Sequence, residues 1–207
     1  MKTQNDINTN DKRIIFPYYI KKGKAVIYTE KEMKAKFPYC FKYLESVKDV
    51  LATRGKGKVV FSPFYAYGRT QGLNRFNACL FTPTFSKNPR FLKNIEGDAL
   101  FTNGYGLYLK SEQEDLFGTN LIAKRENLDV LQKILNSRIM HFYVKKTSVS
   151  IEGGYPCYQK NFIERFSIPA LPEAALTKIR KAKGEAEVSK ILMPFYHLNR
   201  DLPNLDE

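Results

Sequence analysis

The chain has 207 residues, 43% apolar and 14% aromatic, with Phe and Tyr abundant and Trp absent, which is enough for a globular fold with its own core. Thirty-four Lys and Arg against 21 Asp and Glu leave a formal charge of +13, a property that acts on partners and not on fold, and that fits nucleic acid or an anionic membrane surface. A membrane is not the expected partner: no window approaches 18 apolar residues, "MKTQNDINTNDKR" is too polar for a signal peptide, and the cations are spread over strands and loops instead of one helix face.

In chain order, residues 1–13 read as a disordered lead. "RIIFPYYI" and "KAVIYT" are expected strands around the turn "KKGK". Thr29 with Glu32 forms a capping box for a helix starting at Glu30, and Pro38 restarts or kinks that helix. Phe41, Leu44, Val47 and Leu51 then keep a helical stripe expected to pack on a sheet. Strands are expected at "VVF", "ACLFT", "ALFT" and "GLYL", and a short helical turn at "SEQEDLFG". "NGYG", Asn103 to Gly106, reads as a turn. "ENLDVLQKILNS" is the clearest helix, with Leu128, Leu131, Ile134 and Leu135 on one side. After it come a second basic stretch, in which Lys145 and Lys146 lead an alternating strand "TSVSI", then a Gly153-Gly154 hairpin turn with Tyr155 and Tyr158 half-buried. A short helix, an "IP" strand and one or two C-terminal helices over 172–196 complete the chain. The expectation is a mixed α/β (α+β) fold with a small mixed sheet flanked by helices: one domain over 14–171, with 172–207 as a helical segment packed on it.

Chemistry-bearing motifs are sparse. Cys40, Cys79 and Cys157 are odd in number and far apart, which suits buried thiols in a reducing compartment better than disulfides or zinc. His141 and His197 sit among aromatic and aliphatic neighbours and read as structural. Glu32-Met33-Lys34 with Asp11 upstream is the one pattern a Mg²⁺-dependent nuclease uses, but Glu32 falls at a helix N-terminus, where an acid favours the dipole.

The charge is not evenly laid. Between Asp49 and Glu96 lie 46 residues with no acid and eight Lys or Arg. Within this gap, "RGKGK" places Arg54, Lys56 and Lys58 beside glycines that leave them little packing role, so they are expected phosphate binders. Arg69 and Gln71 lie two apart in "YGRTQGL", and both side chains can read purine edges in a major groove. Tyr67 and Thr70 offer hydroxyls to phosphates. Lys145, Lys146, Ser148, Tyr155 and Lys160 form the second expected contact region.

"IIFPY", "KFPYCFKYLESVKDVLATRGKGK", "YAYGRTQGL" and "TSVSIEGGYPCYQKNFIERFSIPAL" follow one another in that order. Together they resemble the C-terminal target-recognition (specificity) region of TaqI-like adenine DNA methyltransferases, with the closest likeness to the fused type II restriction–modification enzymes, over roughly residues 14–196. The resemblance implies a DNA-binding lobe that reads a specific duplex sequence, working beside a Rossmann-like catalytic lobe that binds S-adenosylmethionine, in a bacterial cytoplasm. The chain departs from the whole enzyme. It has no Asn/Asp-Pro-Pro-Tyr/Phe tetrapeptide, since "FPYY", "FPYC", "SPFY" and "MPFY" lack the polar residue and the second proline, and it has no glycine-rich cofactor loop. The expectation is therefore a recognition lobe without catalytic, cofactor or metal residues of its own, its partners being double-stranded DNA and a methyltransferase domain in cis or trans. A module for RNA or single strands, with Tyr and Phe stacked on bases, is the alternative from another class.

Overall fold

The computed structural model describes residues 14–94, 99–101, 103–109, 124–151 and 153–198. The expected helical turn at "SEQEDLFG" and the lead over 1–13 lie outside them. The fold is a mixed α/β fold with small antiparallel sheets and C-terminal helices. The chain divides into two compact units, the first ending at Phe76 and the second starting at Asn77.

The first unit opens with a hairpin, β1 (Tyr18–Lys21) and β2 (Lys24–Ile27), in the register Tyr18↔Ile27 to Lys21↔Lys24. Lys22 and Gly23 close it with φ of 51° and 73°, the doubly left-handed turn that matches the twist of two strands. Helix α1 (Glu30–Lys36) follows from the capping box: the Thr29 side chain accepts from the Glu32 amide, and the Glu32 carboxylate accepts from the Thr29 amide. Pro38 stands at the first turn of α2 (Pro38–Ser46), where its missing N–H costs nothing. The expected stripe is interrupted at Val47, whose backbone is not helical, and a short α3 (Lys48–Ala52) resumes beyond it. Phe41 and Leu44 bury against Met33 of α1 and Tyr65, with Ile27, Tyr28, Leu51 and Phe64 at the margin. The partners of the stripe are thus α1 and an aromatic loop more than a sheet.

The second unit holds the sheet β4–β3–β5, antiparallel throughout, from β3 (Leu80–Pro83), β4 (Leu92–Lys93) and β5 (Gly104–Leu107). "ACLFT" is β3, as expected. "VVF" and the described part of "ALFT" are not strands, and "NGYG" is the start of β5 and not merely a turn. A β-carbon on Gly104 would stand 2.5 Å from the Thr82 carbonyl oxygen, so only glycine lets these strands close.

Helices α4 (Leu128–Leu135) and α5 (Arg138–Thr147) pack against α7 (Glu173–Lys181) and α8 (Glu185–Leu192) through Val130, Ile134, Ile139, Leu176, Ile179, Val188 and Leu192. Each such fully buried aliphatic contributes about 1.5–3 kcal/mol. The expected C-terminal helical segment thus packs on the rest of the unit, sharing this core across the 171/172 position. Lys133 closes the end of α7, donating to the carbonyls of Ile179, Arg180 and Ala182 at 3.2, 2.6 and 2.8 Å.

Candidate nucleic-acid interface

Residues 14–76 carry thirteen Lys or Arg and four Asp or Glu, so +9 of the chain's +13 resides in 63 residues. Of the four acids, Glu30 and Glu32 sit in the first turn of α1. Both hydrogen bonds from Thr29 to Glu32 are 2.8 Å, and they hold its carboxyl below the usual carboxylate range. Glu32 is a helix cap, and Asp11, its expected companion in a nuclease site, lies outside the described residues.

Arg54, an expected phosphate binder, is engaged within the fold. Its guanidinium and Nε donate to the carbonyls of Leu51, Ala66 and Phe64 at 2.7, 2.7 and 2.5 Å, and it stacks 4.3 Å from the centre of the Phe61 ring. The side chain is an internal clamp that gathers the loop 61–66 onto the end of α3, because a planar fork satisfies several carbonyls at once. Lys56 and Lys58 are exposed beside it and make no side-chain hydrogen bond with a described residue. Gly55, Lys56 and Gly57 are all left-handed, with φ of 63°, 59° and 69°. The turn is fastened by the Gly57 amide to Thr53 oxygen and the Lys58 amide to Gly55 oxygen. A lysine in this conformation costs about 1–2 kcal/mol relative to its relaxed backbone.

Tyr67 is likewise committed. Its hydroxyl donates to the Ile15 carbonyl, its amide donates to the Tyr18 hydroxyl at 2.8 Å, and burial pushes its phenol up. Its hydroxyl, expected to serve a phosphate, acts within the fold as a strut. Tyr65 beside it is buried, donates to the Tyr28 carbonyl at 2.7 Å, and has its phenol pushed up to about 12, chiefly by burial.

Arg69, Thr70 and Gln71 behave differently. All three are exposed, and none hydrogen-bonds a described residue through its side chain. They ride on turns in which Leu73 donates to Thr70 oxygen and Arg75 to Gly72 oxygen. Buried Leu73 anchors the far end, and Asn74 accepts from the Ala25 amide at 2.6 Å, tying the loop to the hairpin. The arrangement projects a guanidinium, a hydroxyl and an amide from a fixed base.

In the second unit the expected contacts scatter. Lys145 and Lys146 lie in the last turn of α5 and not on a strand, the Lys146 ammonium 5.8 Å from the Phe142 ring centre. The strand begins only at β6 (Ser150–Ile151), paired with β7 (Tyr155–Pro156) across the left-handed Gly153 and Gly154. Ser148 accepts from the Cys157 amide at 3.3 Å, and Lys160, at the start of α6 (Lys160–Ile163), pairs with Glu164 at 3.6 Å. Tyr155 is 45% exposed, whereas Tyr158 is wholly buried with Leu80, Phe91 and Met140.

Sequence reasoning passed over one cluster. Lys21, Lys22 and Lys24 are exposed at the tip of the first hairpin, where "KKGK" registered only as turn chemistry. The near-matches to a methyltransferase tetrapeptide are structural: "FPYC" starts α2, and the Tyr196 hydroxyl of "MPFY" donates to Ser167 oxygen at 2.7 Å. "SPFY" is the loop held by Arg54, and Tyr18 of "FPYY" accepts from Tyr67. Among the described residues no helix is long and apolar enough to cross a membrane.

No family model matches the chain, and no curated protein matches it.

Proposed function

We propose that this chain is a sequence-specific recognition domain for double-stranded DNA, the non-catalytic lobe of an adenine DNA methyltransferase of a restriction–modification system. The catalytic lobe, with its S-adenosylmethionine, lies in cis or in trans, and the pair works in a bacterial cytoplasm. The observation that carries the reading is the charge of +9 over residues 14–76, with Arg69 and Gln71 projecting uncommitted side chains from an anchored turn. Lys56 and Lys58 neutralise phosphates and set register, while Arg69 and Gln71 meet base edges as bidentate partners. Thr70 supplies a hydroxyl to the backbone. The order of the quoted segments supports the same family.

The test is fluorescence anisotropy with random duplex, single-stranded DNA and structured RNA across a salt series. With about six phosphates neutralised, log affinity for duplex falls with a slope near −5 against log salt. A flat response, or a preference for single strands over duplex, overturns the reading.

A further inference from the structure

Helix α2 turns Phe41 and Leu44 inward and leaves Tyr39, Lys42 and Tyr43 on the opposite face, at i, i+3 and i+4. Tyr39 is 89% exposed and Tyr43 57%. Two exposed tyrosines one helical turn apart, with a lysine flanking them on the same face, are not accounted for by the core, which Phe41 and Leu44 already supply to this helix. Lys42 makes no ion pair with a described residue.

Charge narrows the occupant. The face belongs to the unit that carries +9, so a cationic surface is repelled and a polyanion is attracted. Ring faces add a second requirement. In a duplex the π-faces of the bases are covered by their neighbours, so tyrosine rings gain stacking only from a base outside the stack, while a lysine flanking them meets the adjoining phosphate. We propose that the outer face of α2 binds unpaired nucleotides, with Tyr39 and Tyr43 stacking on bases and Lys42 on the phosphate. The inference rests on the reading above only in taking nucleic acid as the partner.

The experiment compares the whole chain with its Tyr39→Ala/Tyr43→Ala, Tyr39→Phe/Tyr43→Phe and Lys42→Ala variants. The probes are a blunt duplex, the same duplex with a thymidine tail, and the tail alone. The alanine pair is expected to lose about tenfold or more in affinity for the tailed and single-stranded probes and nothing on the blunt duplex. The phenylalanine pair keeps wild-type affinity, because the ring and not the hydroxyl stacks. Lys42→Ala lowers the salt slope on the tail by about 0.7. Wild-type binding by the alanine pair on every probe overturns the proposal and leaves the face to an acidic protein; a phenylalanine pair as weak as the alanine pair overturns it too. Steep salt-dependent duplex binding with no effect of the alanine pair refutes this inference alone. Tight tail binding with no duplex binding refutes the recognition-lobe reading and leaves this one standing.

Discussion

Arg54 and Arg69 are fifteen positions apart on the same basic stretch, yet their surroundings give them opposite tasks. Arg54 donates to three carbonyls and lies on Phe61, so its removal strands acceptors in a half-buried loop. Arg54→Ala is expected to cost about 2–3 kcal/mol in urea unfolding, and Arg54→Lys to recover little, since a point charge cannot reproduce the fork. Arg69→Ala and Gln71→Ala touch nothing internal and are expected to leave unfolding unchanged. On the proposed function, in complex with the proposed catalytic lobe, each is expected to weaken the cognate site by about 1–3 kcal/mol and random DNA hardly at all. A loss of stability in Arg69→Ala with no selective loss of binding would make "YGRTQG" a structural turn.

Lys56 offers a sharper contrast at the same scale. Relief of its left-handed backbone is partly offset by the extra chain entropy of glycine, so Lys56→Gly should raise stability by about 0.5–1 kcal/mol. The same change should weaken duplex binding and lower the magnitude of the salt slope by about 0.9. A variant that is more stable and binds as well as the original would remove Lys56 from the interface.

At the scale of elements, the loop 61–74 is held to β1, β2 and the chain before them by tyrosines more than by aliphatic packing. The Tyr65 hydroxyl reaches Tyr28, Tyr67 reaches Ile15, and Tyr18 receives the Tyr67 amide. The buried Tyr65 phenol, at about 12 in the folded chain against 10.0 in a free tyrosine, holds its proton more tightly when folded. Its contribution is therefore fully present below pH 10 and lost as pH rises towards 12, by up to about 2–3 kcal/mol. Tyr65→Phe is expected to cost about 1 kcal/mol at pH 7 through the lost hydrogen bond, and to show a shallower fall in the urea midpoint between pH 10 and 12. An unchanged alkaline slope would show that Tyr65 is not the group that titrates.

Across the whole molecule, charge and helical packing fall in different places: the first unit concentrates cations, and the second concentrates the helix core formed by α4, α5, α7 and α8. Replacing Lys56, Lys58 and Arg69 together by Ala is expected to reduce the magnitude of the duplex salt slope by about 2.7. Replacing Lys145, Lys146 and Lys160 is expected to change it by less than 1, since Lys160 already faces Glu164 and the other two close a helix. Equal effects from the two triple variants would place DNA on both units alike.

Local codes were legible without the fold. The hairpin at "KKGK", the capping box from Thr29 to Glu32, Pro38 opening a helix, the helix over Leu128–Leu135 and the left-handed Gly153-Gly154 turn each depend on neighbours within about four residues, and each formed where those neighbours placed it. The run of residues without an acid was equally plain, because charge is additive along a chain. What sequence could not settle was which of the basic and aromatic side chains had partners. "VVF" has strand composition but no pairing strand, and Lys145 and Lys146, expected to lead the strand "TSVSI", instead close the helix Arg138–Thr147, whose Met140 and Val144 fill a core. Arg54 looked free because its neighbours include glycines; two of its three acceptors lie at positions 64 and 66, brought within 2.7 Å by the loop that it closes. Tyr67 looked free for the same reason, with its acceptor 52 residues back. A hydrogen bond across such distances depends on where the chain returns in space, and no spacing along the sequence encodes that.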